Sequence, residues 1–224
     1  MGFLDDLKRQ AEVAKAQQTT DLGAQDRNAM LADTACNSAL RYFTTLVQQL
    51  NVLQPASKTT YRLDKQHAFS GLRLRDFRAD SRMKRLRGQE VFDHVVLRCR
   101  LQSGARPVHI GKDFPPEVER LESRLRQSGA LFQSEGIRNP SNGRWQETRF
   151  EFTPDFGLGV RVQPDHDTGW VQFKLTNFDG FETVTVDFPA FEIGTARLDE
   201  LARWLVGEPH AFLKEGHNLR RVEA

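Results

Sequence analysis

Cysteine is nearly absent from the 224 residues: there are two, Cys36 and Cys99, far apart in the chain. So few thiols exclude a disulfide scaffold and favour a reducing compartment. Cys36 lies in a helical stretch and Cys99 alternates with Leu97 and Leu101, so both read as small buried hydrophobes. No apolar run approaches the ~20 residues that a membrane-spanning helix needs. Asp5 and Asp6 stand where a secretory signal requires basic and then apolar residues, so none is read. Asp6 also replaces the Ser or Thr that would make Gly2 a myristoylation site. We therefore expect a cytoplasmic protein. Tyrosine (2) and tryptophan (3) are scarce beside 16 phenylalanines, a balance that suits an apolar core better than a stacking surface. With 38% hydrophobic and 28% charged residues, the chain falls in the ordinary globular range, which excludes disorder.

Net charge is small as well, +2, but it is unevenly spread. Residues 61–112 hold 13 basic and 5 acidic side chains, whereas residues 113–224 hold 13 and 19. Arginine outnumbers lysine 24 to 8, and arginine is the side chain suited to bidentate contact with carboxylate or phosphate. The basic block either pairs with the acidic half inside one domain, which is the simpler reading, or meets an anionic partner.

Residues 3–54 carry helical periodicity, through Leu4, Leu7, Ala11 and Ala14 and then Leu31, Ala35, Ala39, Phe43, Leu46, Val47, Leu50 and Leu53, up to Pro55. One helix of this length would measure roughly 75 Å, more than a small domain can cover. It must fold back near Leu22-Gly23 as a hairpin or meet another chain. Asp5, Asp6 and Glu12 balance Lys8, Arg9 and Lys15, which argues against a membrane-surface helix.

From Tyr61 the period becomes two. Strands are expected around Leu72 to Arg75, Val95 to Leu101, Pro107 to Ile110, and over 131–137, 145–152, 158–162, 170–178 and 181–188. Loops are read at 139–143 and at Asp179-Gly180. Asp113 is expected to cap a helix through Val118, Leu121 and Leu125 to Gly129, and Thr195 a second through Leu198, Leu201, Ala202 and Leu205 to Gly207. The pattern predicts an α+β fold: a long N-terminal helix or helical hairpin (1–55), then an antiparallel β-sheet with two short helices packed on one face (61–207), then a loose tail (208–224). Asp113-Phe114-Pro115 and Asp187-Phe188-Pro189, each ahead of a helix, allow an internal duplication.

Patterned chemistry is scarce. The six histidines show no metal-binding spacing, and Asp165-His166-Asp167 reads as a turn. Pro164-Asp165 with Lys174 approaches a divalent-ion nuclease pattern, but Gln172 occupies the second carboxylate position. Ser70, Ser103 and Ser128 each precede a turn glycine rather than sitting in a nucleophile elbow. Gly157-Leu158-Gly159 continues as a strand, so it cradles no phosphate. No metal, cofactor or catalytic residue is assigned. An enzyme would need a distributed site, recognisable if His94, His166, Asp93 and Asp165 met in one cleft.

Two interaction readings remain. The first, which we favour, is a non-enzymatic intracellular interaction or assembly protein that self-associates or docks a partner helix through Leu31, Phe43, Leu46, Val47, Leu50 and Leu53. The second is nucleic-acid binding through an anion-facing patch of Arg73, Arg75, Arg98 and Arg100, near Arg78, Arg82, Lys84, Arg85 and Arg87. Outward positions such as Glu147, Glu151, Gln172, Lys174, Thr183 and Thr185 offer no aromatic platform for bases; only Trp145 and Trp170 fall on that side.

Overall fold

A computed structural model of the chain describes the backbone of residues 3–223, with side chains at Gln10, Glu12 and 21–223. The first element, α1 (Phe3–Leu53), is one helix of 51 residues. It runs unbroken through Leu22 and Gly23, so no hairpin forms. No proline interrupts it, and it ends where Gln54 turns to a positive φ of 44° ahead of Pro55. The early apolar positions Leu4, Leu7, Ala11 and Ala14 lie outside the described side chains.

After α1 come a small ribbon of β1 (Tyr61–Arg62) and β2 (Ala68–Phe69), then β3 (Arg73–Leu86), β4 (Gln89–Gln102) and β5 (Val108–Lys112). Next are α2 (Pro115–Ser128), β6 (Phe132–Arg138), β7 (Trp145–Phe152), β8 (Phe156–Asp165), β9 (Trp170–Thr176) and β10 (Glu182–Pro189). The short 3-10 turn Ala190–Glu192, α3 (Thr195–Leu205) and β11 (His217–Glu223) complete the chain. The main sheet is six-stranded and antiparallel in the order β11-β10-β9-β8-β4-β3, and a three-stranded sheet has the order β5-β7-β6. The fold is α+β.

Several local expectations need correction. β3 and β4 form a hairpin of two 14-residue strands, far longer than the alternation around Leu72 and Val95 implied. Its turn is Arg87-Gly88, both at positive φ as a two-residue hairpin turn requires. The caps differ too: Phe114 and Gly194 occupy the N-cap positions, and neither α2 nor α3 has a side-chain cap. Residues 208–224, expected as a loose tail, carry β11, which pairs with β10 as an outer strand. The repeated tripeptides occupy unlike settings: the first leads directly into α2, while the second closes β10 and is separated from α3 by the 3-10 turn. The internal duplication is not confirmed.

Alternation sets the two faces of the main sheet. Val95, Leu97, Cys99 and Leu101 of β4, Leu158, Val160 and Val162 of β8, and Val171, Phe173 and Leu175 of β9 are all buried. α1 crosses this face from β3 to β9, and α3 packs beside it. Phe173, Phe188 and Phe212 form a mutual cluster with centroids 5.3–5.9 Å apart, and Trp204 of α3 joins it 6.0 Å from Phe212. A second aromatic group, Tyr61, Phe69, Phe152, Phe156 and Phe181, ties the ribbon and the smaller sheet to the same core. α2 lies beside β5, and its C-terminal end reaches the opposite face of the main sheet at Gly157.

Candidate interaction surfaces

On α1, the buried residues Ala32, Ala35, Cys36, Ala39, Phe43 and Leu50 make one stripe at helical spacing. Alanine lets the helix approach the strands closely, and polar groups fix its position. Asp33 Oδ1 accepts the Phe92 N–H at 2.8 Å. Asn51 grips Phe77 on both backbone groups, donating to its carbonyl at 3.0 Å and accepting its N–H at 2.9 Å, inside a register shift of β3. Tyr42 donates to Asp199 of α3 at 2.5 Å.

This arrangement redistributes the expected partner contact. Phe43 and Leu50 are buried in the chain's own core, and Leu46 and Val47 pack half-buried against it. Only Leu31, at 43% exposure, and Leu53, at 69%, keep substantial surface. The periodicity could reveal an apolar face but could not say whose surface covers it. Toward the N-terminus the same helix line turns polar at Asn28, Gln25 and Asp21, and no described side chain before Ala32 is buried. Asn28 Nδ2 donates to the Asp167 carbonyl at 2.8 Å and is the first described tie to the sheet. Roughly 38 Å of helix precede it at 1.5 Å per residue. Leu22 is exposed on this arm, and Met30 and Leu31 are exposed just beyond Asn28.

The second surface is the open face of the main sheet. Arg73, Arg75 and Arg98 lie on it exposed. Arg100 differs: its guanidinium donates to the carbonyls of Gly129 at 3.1 Å and Asp155 at 3.3 Å, so it clamps the end of α2 and the loop before β8. Strand register adds four residues to the patch. Arg78 stands opposite Arg98, and Arg161, Lys174 and Arg220 follow one another across β8, β9 and β11. Arg161 and Arg220 were not singled out from sequence. The first was visible in the alternation of Val160-Arg161-Val162, and the second was hidden by reading its strand as a tail. Trp145 lies on the smaller sheet, and Trp170 is half-buried edge-on to His217, so neither makes a flat platform.

The residues that would have marked an enzyme do not converge. Asp93 pairs with His94 at 2.8 Å and with Arg161 at 3.9 Å, and the hydrogen bond from His94 holds its carboxyl below the usual range. Asp165 and His166 instead border a cleft of about 380 Å³ with Lys84, Trp170 and Asp187, whose walls include neither Asp93 nor His94. His166 Nε2 is buried without a hydrogen-bond partner. Burial, and then the nearby Lys84, lower the His166 pKa. Among the described residues, no group of three or more His, Cys, Asp and Glu is placed to hold a metal ion. Burial pushes the Cys36 thiol up to about 12 and raises Cys99 as well, so neither forms a thiolate.

Another cleft, of about 1010 Å³, lies between the ribbon, α2 and the β10–β11 edge. Much of its charge is matched from within: Lys112 bridges Asp64 at 3.1 Å and Glu117 at 3.5 Å, and Arg221 bridges Glu182 at 2.7 Å and Asp179 at 3.5 Å. No helix of the described chain is long and apolar enough to cross a membrane. No family model matches the chain, and no curated protein or solved structure matches it either.

Proposed function

We propose that the protein is a non-enzymatic assembly protein, in which two copies associate by pairing the helical arms that precede Asn28. The observation that carries this reading is the change of character along α1: its core-facing line becomes polar at Asn28, Gln25 and Asp21 while the helix continues for some 25 residues. A lone helix with no packed face is marginal in water, so a second helix beside it supplies the missing burial. Self-pairing is the occupant that charge favours. Asp5, Asp6 and Glu12 balance Lys8, Arg9 and Lys15 in this segment, so two copies carry no net charge to repel each other. The free, buried Cys36 and Cys99 are compatible with reducing, intracellular surroundings.

Light scattering at micromolar concentration tests this directly. The full chain is expected at twice its 25.6 kDa mass, and a variant lacking residues 1–27 at the single-chain mass with an unchanged near-ultraviolet circular dichroism spectrum. A full chain that stays monomeric would remove the proposal.

A further inference from the structure

We propose that the open face of the six-stranded sheet binds the phosphate backbone of a nucleic-acid duplex without reading its base sequence. This inference is independent of the arm. It rests on how strand register orders the cations. One line across the sheet reads Arg78, Arg98, Gly159, Thr176, Thr183 and Val222; the next reads Asp80, Val96, Arg161, Lys174, Thr185 and Arg220. Arg75 lies beside Arg100 on the other flank of the first line. With strands ~4.8 Å apart, the cations from Arg75 to Arg220 form an oblique band on the order of 24 Å wide.

The band has the properties of a backbone contact. Among the described residues, Arg75, Arg78, Arg98, Lys174 and Arg220 form no ion pair, so their charges collect counterions that a polyanion would displace. The floor is low. Gly159 occupies an outward position of β8 opposite Arg98, where a Cβ would come within 2.8 Å of the Leu97 carbonyl oxygen and 3.3 Å of Arg98 Cγ, so the arginine stem packs against a bare glycine, while the end of α2 covers Gly157. Thr176, Thr183 and Thr185 add short hydroxyl donors without bulk. Three carboxylates border the band: Asp80 lies on the outer strand β3, Asp187 is engaged by Gln172 and Asn218, and Asp93 is taken up by His94 at 2.8 Å beside Arg161 at 3.9 Å.

Composition selects the partner. A protein interface would place an apolar or aromatic centre here, and a membrane contact would need bulky apolar groups to insert. The centre of the band has neither: Val96 is buried beneath its neighbours, and Val222, which is exposed, stands at the end of its line on the outer strand β11. With no aromatic ring to stack on, a single strand gains little for its bases, whereas a duplex already turns its phosphates outward.

The test is fluorescence anisotropy of the full chain with labelled duplex DNA of about 20 base pairs and mixed sequence, since each pair of phosphates adds charge for the band to meet. Saturable binding is expected at ~50 mM salt, weakening by roughly several hundredfold at ~200 mM for about five phosphate contacts. Two duplexes of unrelated sequence should bind alike within about threefold, as backbone contacts carry no sequence information. Arg98→Glu combined with Lys174→Glu should cost at least about tenfold, while Lys65→Glu combined with Arg120→Glu, off this face, should cost under about threefold. If the first pair fails to fold, Arg98→Gln with Lys174→Gln reads the same contact. No binding at the lower salt, equal losses in the two charge-reversal pairs, or a strong sequence preference would each overturn the proposal. Binding to phosphatidylserine vesicles with no binding to duplex DNA would do so in favour of a lipid surface.

Discussion

Asp64 illustrates how single side chains in this protein are satisfied locally. Burial alone would raise its pKa, but the N–H groups of Gln66 at 2.8 Å and His67 at 2.7 Å, the His67 ring and the Lys112 ammonium hold it down to about 2. Its pKa in the folded chain therefore lies below the ordinary 3.8. The resulting stability is fully present above 3.8 and is lost as pH falls toward 2. Asp64→Asn should cost about 2 kcal/mol in denaturant unfolding at neutral pH, and the gap from the parent should close near pH 2. Individual roles of this kind were legible only where chemistry is local. Cys36 and Cys99 could be read as buried hydrophobes from their neighbours. Asp113 and Thr195 were read as caps from spacing alone, whereas Phe114 and Gly194 occupy those positions with no side chain involved.

Elements were legible in proportion to the regularity of their pattern. α1 announces itself over 51 residues, but its inward line is shared by any helix that packs on anything. Stability measurements can separate the two halves of that ambiguity. Phe43→Ala should destabilise the chain by about 3–5 kcal/mol, because it empties a fully buried site. Leu31→Ala and Leu53→Ala should each stay within about 0.5 kcal/mol in chemical denaturation. The middle of the β3–β4 hairpin escaped notice for a physical reason. Register shifts between Arg75 and Arg78 and between Arg82 and Met83 break the alternation on which strand reading depends, and Arg87-Gly88 lacks the usual Asn or Asp. The Asp179-Gly180 signal did mark a hairpin, but the loop is wider than two residues, closing with the Asn177 N–H on the Glu182 carbonyl at 2.8 Å. β11 carries no apolar alternation because all seven of its residues are exposed.

At the scale of the molecule, one body formed by α1 from Asn28 onward, the sheets and the two short helices carries a helical extension at one end. If two such extensions pair, hydrogen exchange should distinguish them from the body. Amides over 10–27 should be protected at high protein concentration and lose that protection on dilution, while amides over 32–50 stay protected throughout. Equal protection at every concentration would contradict pairing. The arginine face was legible as separate pairs on two strands. That they line up with Arg161, Lys174 and Arg220 follows from register, which no single strand encodes.

The main sheet does not close on itself, so β3 and β11 are its edge strands, and the rim of β3 is only partly occupied, by the Leu74 N–H on the Pro55 carbonyl at 2.9 Å and by Asn51 on Phe77. Such rims invite a neighbouring copy to add on and grow a filament, and proteins restrain this with long ionised side chains. Along β3 that fence is Arg75, Arg78, Arg82 and Arg85; along β11 it is Arg220 and Arg221. Neutralising these groups to study ligand affinity would therefore also strip the particle of its guard against precipitation.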